Sequence, residues 1–466
     1  MRFQLLFIAC LFSLSGTTQS FTDLQSGFPA LNLLTRHAFA DVDGDGDQDF
    51  AMAGATATSY FGHIYLNDGT GVFSPLAGIS FPFLQGSVEW ADMDNDGDPD
   101  LLVNGMGNSN PLVNFQVYRN DGNLQFTLLN APFRQLSGYS IWMDYDNDGL
   151  KDILSTGYDN SYTNDSTFLY HNDGNGNFSI AIHNLPRMNA EDLSVVDFDN
   201  DGDDDFFVMG SSSMAPGSQE ISRLYKNDGN GNFTQVPFYF FPLIAGTSDW
   251  ADYDNDGDAD LLYDGMDSLR ANNHTLIYRN NGGGNFVQVN ANLPLSGEPG
   301  SVQWGDVDND GDLDILIGGP SLLMRNDGND IFTDITPGDF PFACPNTLVD
   351  IDQDGDLDIF FTVPWGNGAT FFRNEGLNGI DNTTRLQLHV FPNPGNGSIR
   401  ISNLPQEEGI LHYQLCDSRG AVLKSGSLVV TNYPLELNWP DLSNGIYTLQ
   451  ITGSKTKTST RIVVMK

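Results

Sequence analysis

Short apolar runs, each entered from an acidic stretch, recur through the first 378 residues. Asp100-Leu101-Leu102-Val103 and Asp205-Phe206-Phe207-Val208 are two of them. They are too short for helices and rich in β-prone side chains, so they predict buried strands. A β-prone segment such as Ser87 to Trp90 precedes each acidic stretch. An Asn-Asp-Gly-type turn follows each stretch 20 to 30 residues later, and in six copies a Phe comes next: Phe73, Phe126, Phe178, Phe233, Phe286 and Phe332. Asn and Gly tolerate the positive φ of a tight hairpin, so each repeat reads as four short antiparallel strands.

The acidic stretch has the form Asp-x-Asp-x-Asp-Gly-x-x-Asp and starts at Asp41, Asp92, Asp144, Asp197, Asp252, Asp306 and Asp350, in steps of 51, 52, 53, 55, 54 and 44 residues. Four-stranded units at that period predict an all-β chain folded as a seven-bladed β-propeller over residues 21–378. The turns are Asn67-Asp68-Gly69, Asn120-Asp121-Gly122, Asn172-Asp173-Gly174, Asn227-Asp228-Gly229, Asn280-Asn281-Gly282, Asn326-Asp327-Gly328 and Asn374-Glu375-Gly376. The seventh repeat lacks its Phe strand, and Phe21-Thr22-Asp23-Leu24 resembles Phe332-Thr333-Asp334-Ile335. The N-terminal segment is therefore expected to complete blade seven, closing the ring and removing two sheet edges.

Within each loop, positions 1, 3, 5, 7 and 9 are candidate cation ligands. They are Asp41, Asp43, Asp45, Asp47 and Asp49 in the first copy and Asp92, Asp94, Asp96, Asp98 and Asp100 in the second. The third has Asp144, Asp146, Asp148, Leu150 and Asp152; the fourth has Asp197, Asp199, Asp201, Asp203 and Asp205. Asp252, Asp254, Asp256, Asp258 and Asp260 form the fifth, and Asp306, Asp308, Asp310, Asp312 and Asp314 the sixth. The seventh is Asp350, Asp352, Asp354, Asp356 and Asp358. Carboxylates about 4 Å apart repel by about 1 kcal/mol even in water, which opposes a compact loop without a cation. Oxygen-only ligands favour calcium, and a position-7 ligand acting through its backbone carbonyl leaves Leu150 competent, so up to seven structural calcium ions are expected. Position 6 is Gly, which permits the sharp reversal. An EF-hand would need Glu at position 12, where this chain has Met52, Val103, Ser155, Val208, Tyr263, Ile317 and Phe361. Metal-free acidic turns are the plainer alternative, but ordinary turns do not keep one spacing seven times.

These loops resemble the FG-GAP and VCBS repeats of calcium-binding propellers, among them those of integrin α subunits. The Phe-Gly and Gly-Ala-Pro signatures do not recur. A Gly follows the last ligand by five residues in six blades (Gly54, Gly105, Gly157, Gly210, Gly265, Gly319), with Val363 in the seventh. The resemblance is closer to the bacterial VCBS form and implies the metal positions, not integrin ligand recognition.

Net charge is −41, and 34 Asp stand in the loop positions, so seven dications would offset part of it. The remaining acidity argues against a nucleic-acid partner, which needs clustered Lys and Arg. Met1 to Ser20 reads as a secretory signal peptide, and no other segment is apolar and long enough to be a transmembrane segment. Cys10 sits in a poor lipobox; Cys344 and Cys416 fall in different predicted domains, so metal rather than disulfides is expected to hold the protein together.

Residues 379–385 read as a linker, and 386–466 as a small β-sandwich with alternating runs such as Tyr447-Thr448-Leu449-Gln450-Ile451. Phe391-Pro392-Asn393-Pro394, Asp417-Ser418-Arg419-Gly420, Leu442-Ser443-Asn444-Gly445-Ile446-Tyr447 and Ile462-Val463-Val464-Met465-Lys466 resemble the C-terminal sorting domain of the type IX secretion system. That resemblance implies the type IX machinery as a partner, a Bacteroidota-type source and a secreted or outer-membrane-surface location.

Alternation places the acidic loops and the Asn-Asp-Gly turns on one rim. The opposite rim carries the variable connections 157–162, 211–222, 266–275 and 238–241, where a glycan or protein ligand is expected, with Tyr158 and Tyr162 as stacking candidates. Trp90, Trp142, Trp250 and Trp304 precede loops and read as core. A non-catalytic binding or adhesion module is the leading reading. The alternative is a polysaccharide lyase or hydrolase, for which the seven His show no metal spacing and no catalytic residue is singled out.

Overall fold

The second strand of each repeat is the most apolar, and the structure shows why. Asp49–Ala55 and Asp260–Met266 are buried along their whole length, pressed between neighbouring blades on both faces, so they carry continuous apolar runs instead of an alternation. Outward from them burial falls: Tyr60–Leu66 alternates between buried and half-buried, and Ser74–Pro75 is exposed.

The computed structural model describes residues 18–378 apart from 25–27, 29–34, 57, 107–112, 159–164, 213–218, 298–299 and 364–367. Beyond 378 it describes 389–391, 398–402, 410–416, 422–429, 435–439, 442, 445–452 and 457–464. No helix occurs among the described residues.

Residues Gln19–Gly376 form one compact unit of seven four-stranded antiparallel sheets. In the first blade Arg36–Ala40 pairs with Asp49–Ala55, which pairs with Tyr60–Leu66, which pairs with Ser74–Pro75. The first strands are Arg36–Ala40, Leu84–Ala91, Ser137–Met143, Asn189–Val196, Ser248–Ala251, Val302–Gly305 and Asn346–Val349. Consecutive ones touch around the axis, and His37 Nε2 against Thr347 Oγ1 at 2.6 Å joins blade one to blade seven.

Closure follows the sequence expectation. Thr18–Asp23 lies beside Gly368–Asn378 as the outer strand of blade seven, and Leu24 N donates to Phe371 O at 2.9 Å. This strand crosses the predicted signal-peptide boundary at residue 20. Seven hydrophobic clusters alternate with the blades, each shared by two neighbours. The closing one joins Phe50, Met52 and Tyr65 of blade one to Ile351, Phe360 and Phe371 of blade seven. A single repeat cannot bury its faces alone, which makes the ring cooperative. Trp142 and Trp304 are buried in these clusters, and Trp90 and Trp250 pack half-buried against them.

The C-terminal unit contains a three-stranded sheet (His389–Phe391, Ser398–Ser402, Leu435–Asn438) and a four-stranded one (Ile410–Cys416, Val422–Val429, Gly445–Thr452, Lys457–Val464). Ile399, Ile401 and Leu437 from the first share one core with Leu411, Leu415, Leu449 and Ile451 from the second, as in a β-sandwich. The segments 379–385, 392–394 and 417–420 lie outside the described residues.

Candidate functional site

All seven acidic loops share one hydrogen-bonded frame. The position-1 carboxylate accepts the position-6 Gly N–H: Asp41 from Gly46, Asp92 from Gly97 and Asp350 from Gly355, at 2.9–3.0 Å. That Gly has φ near +90°, from 88° at Gly149 to 100° at Gly311, where an L side chain is strained. Position 4 is also left-handed, and Asn fills it in blades two to six (Asn95, Asn147, Asn200, Asn255, Asn309).

The frame brings positions 1, 3 and 5 together in Asp41, Asp43 and Asp45, in Asp92, Asp94 and Asp96, and in Asp144, Asp146 and Asp148, with ligand atoms within 4.8 Å of one another. Asp197, Asp199 and Asp205 cluster in the same way, which brings in position 9. The carboxyl of position 9 is wholly buried in every loop: Asp49, Asp100, Asp152, Asp205, Asp260, Asp314 and Asp358. Asp49 Oδ2 accepts Val42 N at 3.0 Å and Oδ1 accepts Asn67 N at 2.8 Å, an arrangement repeated in Asp358 with Ile351 and Asn374. Burial pushes all seven up to about 7. A bound dication would supply the charge that keeps them ionised.

Position 7 has a second task. Asn200 Nδ2 donates to Asp258 Oδ1 at 3.1 Å and Asn309 Nδ2 to Asp356 Oδ1 at 2.7 Å, each linking one loop to that of the next blade. Where Leu150 stands at position 7, Asn95 Nδ2 uses Gly149 O instead, at 2.7 Å.

The loops also fit a cation by what they leave unpaired. Buried Oδ1 atoms of Asp94, Asp146, Asp199 and Asp308, all at position 3, accept no hydrogen bond. Asp47 is 2% exposed, and its Oδ1 is likewise unpartnered. Converging carboxylate oxygens with free lone pairs are the donor set a hard dication takes.

Two features escape the sequence pattern. The turn Asn does more than shape a hairpin: Asn120 Nδ2 donates to Val42 O at 3.0 Å and Asn227 Nδ2 to Tyr145 O at 2.8 Å. Asn67 to Ile351 O, Asn172 to Met93 O, Asn280 to Phe198 O and Asn374 to Val307 O repeat this tie to the preceding blade. The residue before that Asn is basic in six blades (Arg119, His171, Lys226, Arg279, Arg325, Arg373) and Leu66 in the first. Lys226 Nζ bridges Asp199 and Asp201, and Arg279 Nη1 lies 3.5 Å from Asp254 Oδ2. These cations partly neutralise the loops from within.

The second candidate site lies on the axis. A cavity of about 380 Å³ is lined by all seven first strands, among them Arg36, Glu89, Tyr139, Asp192, Asp249 and Gln303. Along their strands Arg36, Tyr139 and Asp192 stand five residues before the acidic loop, and Glu89, Asp249 and Gln303 stand three residues before it. Each first strand is a sheet edge with unpaired N–H groups. Side chains of the preceding blade satisfy them: Asp192 accepts Ser248 N at 2.9 Å, Asp249 accepts Trp304 N at 2.7 Å and Gln303 accepts Leu348 N at 2.8 Å. Burial pushes Asp192 and Asp249 up to about 6.

Glu89 occupies the place in its strand that Asp249 and Gln303 hold in theirs, yet its carboxyl has no hydrogen-bond partner among the described residues. Burial, with a contribution from the Asp192 charge, pushes it up to about 8. Arg36 donates to Gly86 O at 3.1 Å and to the Tyr139 hydroxyl, binding blades one, two and three together at the cavity wall. His37 is pressed down to about 3 by burial and the Arg36 charge, so it is a neutral ring there.

On the connections that lead into these strands, Tyr239 is 72% exposed and Phe241 36%. Tyr158 is half-buried with its hydroxyl 3.7 Å from Met106 Sδ, and Tyr162 lies outside the described residues, as do 213–218.

The FG-GAP-like repeat family matches at residues 41–103, 144–208, 197–263 and 267–317. The secretion system C-terminal sorting domain matches at 389–465. No curated protein is matched. Among solved structures, a GH32 beta-fructofuranosidase from Bombyx mori is 11% identical, covering 94% of this chain and 88% of its own, at a TM-score of 0.31. The extracellular domain of a putative one-component system from B. thetaiotaomicron is 11% identical, covering 92% of this chain and 68% of its own, at 0.31. Sucrose-6-phosphate hydrolase from Lactobacillus gasseri is 12% identical, covering 70% and 86%, at 0.28. Likenesses of this size establish no shared site.

Proposed function

Because the chain belongs to the FG-GAP-like repeat family and carries a type IX sorting domain that makes it a secreted or cell-surface protein, we propose that it is a calcium-stabilised binding module for a polyhydroxylated ligand, a glycan chain. Calcium in the acidic loops stiffens one rim, and the ligand engages the axial cavity and the connections around it on the other. No helix among the described residues is long and apolar enough to cross a membrane.

The unpartnered Glu89 in the axial cavity carries this reading. A half-buried carboxyl on a cavity wall, with no hydrogen-bond partner among the described residues, is open to a ligand hydroxyl. Around it stand acceptors and one guanidinium, the few convergent polar groups that orient a small ligand. Exposed Tyr239 and Phe241 offer flat apolar faces for sugar rings.

Hydrolysis or lysis of the glycan is the second reading, favoured by one observation. Glu89 at about 8 would be a proton donor at neutral pH, while Asp192 at about 6 would be an acceptor. A glycan array probed with the calcium-loaded mature protein tests both. Binding that Glu89→Gln weakens, without shortened products after incubation, supports the module. Shortened products move the assignment to an enzyme, and binding to proteins alone removes the glycan.

A further inference from the structure

We propose that the loop of blade three is a mixed nitrogen and oxygen site for a transition-metal dication of the zinc type, set apart from six oxygen-only loops. The proposal rests on reading the loops as cation sites and concerns which cation this one selects.

Position in the fold supplies the first argument. The residue before the turn Asn lies in the last part of the third strand, beside the acidic loop, and its side chain reaches in. Lys226 touches Asp199 and Asp201, Arg279 lies near Asp254, and Arg373 Nε lies 4.0 Å from Asp352. An ammonium or guanidinium has no lone pair to offer a metal. In blade three the same place holds His171, whose neutral ring does.

Geometry supplies the second. His171 Nδ1 lies 3.3 Å from Asp146 Oδ2 and 3.4 Å from Asp152 Oδ1. Two ligands each about 2.1 Å from a tetrahedral metal stand about 3.4 Å apart, so the separations match a shared ion. Nδ1 forms no hydrogen bond with either carboxylate, and neither does the buried Asp146 Oδ1 find a partner.

The surroundings hold these atoms in place. Asp152 is wholly buried and accepts Asn172 N at 2.6 Å and Tyr145 N at 3.2 Å. The Tyr145 ring meets the imidazole edge-on at 6.0 Å between centroids, and His171 Nε2 faces Asp173 at 3.8 Å. Leu150 adds a contrast of charge, because this loop alone lacks the position-7 negative charge beside the site. One nitrogen among the side-chain ligands shifts the donor set from calcium towards zinc.

The test uses the mature chain, stripped with chelator and titrated with Co²⁺, Zn²⁺ and Ca²⁺. One Co²⁺ equivalent should bind with the intense visible bands of a tetrahedral site carrying a nitrogen ligand. Zn²⁺ should fill that site at least about ten-fold more tightly than any other loop. His171→Arg, the residue type of four sister blades, should abolish that equivalent and leave calcium uptake by the other loops unchanged. Weak octahedral Co²⁺ bands in the wild type, or equal Zn²⁺ affinity in His171→Arg, would overturn the proposal while calcium uptake persists. Failure to bind any divalent cation would overturn it together with the calcium reading.

Discussion

Replacing Asn227 by alanine separates a hairpin residue from a clamp between blades. The side chain is wholly buried. Nδ2 donates to Tyr145 O of the preceding blade at 2.8 Å and to Asp204 O at 3.3 Å, while Oδ1 accepts Gly229 N at 3.2 Å. Each bond contributes about 0.5–1.5 kcal/mol net, and a buried carbonyl left without a donor costs about 1–3 kcal/mol. Truncation should therefore destabilise the propeller by about 2–4 kcal/mol, allowing for overlap among these contributions. Asn230→Ala in the same turn removes only exposed contacts and should stay within about 0.5 kcal/mol of the wild type. Asn227→Asp keeps the shape but points an acceptor at the Tyr145 carbonyl, so it should cost at least as much as alanine. Urea denaturation in saturating calcium, followed by Trp fluorescence, reads all three. Equal midpoints for Asn227→Ala and Asn230→Ala would refute the clamp.

Chelator should lower the melting temperature of the mature protein and calcium should restore it, since a ligand at 100 times its Kd stabilises by about 2.7 kcal/mol per site. An unchanged melting temperature after complete metal removal refutes the structural role of the loops. Glu89 predicts a pH signature: its folded-state value of about 8 exceeds the ordinary 4.5, so the folded protein keeps a proton that the unfolded chain releases. Its contribution to stability is full below about 4.5 and declines as pH rises to about 8. In saturating calcium, wild type should thus lose stability relative to Glu89→Gln across that window, as read by denaturation midpoints; a constant difference sinks the assignment.

Much of the fold is legible in residues 21–378 because its signals are local. Asp, Gly and Asn mark loops and turns wherever they occur, and seven repetitions raise a weak pattern to an architecture. Even the closure by Phe21 to Leu24 is readable, since a missing strand at one end matches a surplus strand at the other. The turn Asn was legible only in its local role, because its partner carbonyls belong to the preceding repeat, 67 to 82 residues away in five of the blades. The basic residue before it was visible as a letter, but not as a counter-charge.

Strand alternation by itself told which side chains share a face and which loops share a rim, because a period of two is a property of the chain. Tertiary structure decided where seven such faces meet. Glu89, Asp192 and Asp249 look alike as acidic residues in first strands; ring closure brings all three to one cavity. Neighbouring blades then pair Asp192 and Asp249 with backbone N–H groups and leave Glu89 free, a difference set by the next blade and not by the residues beside it.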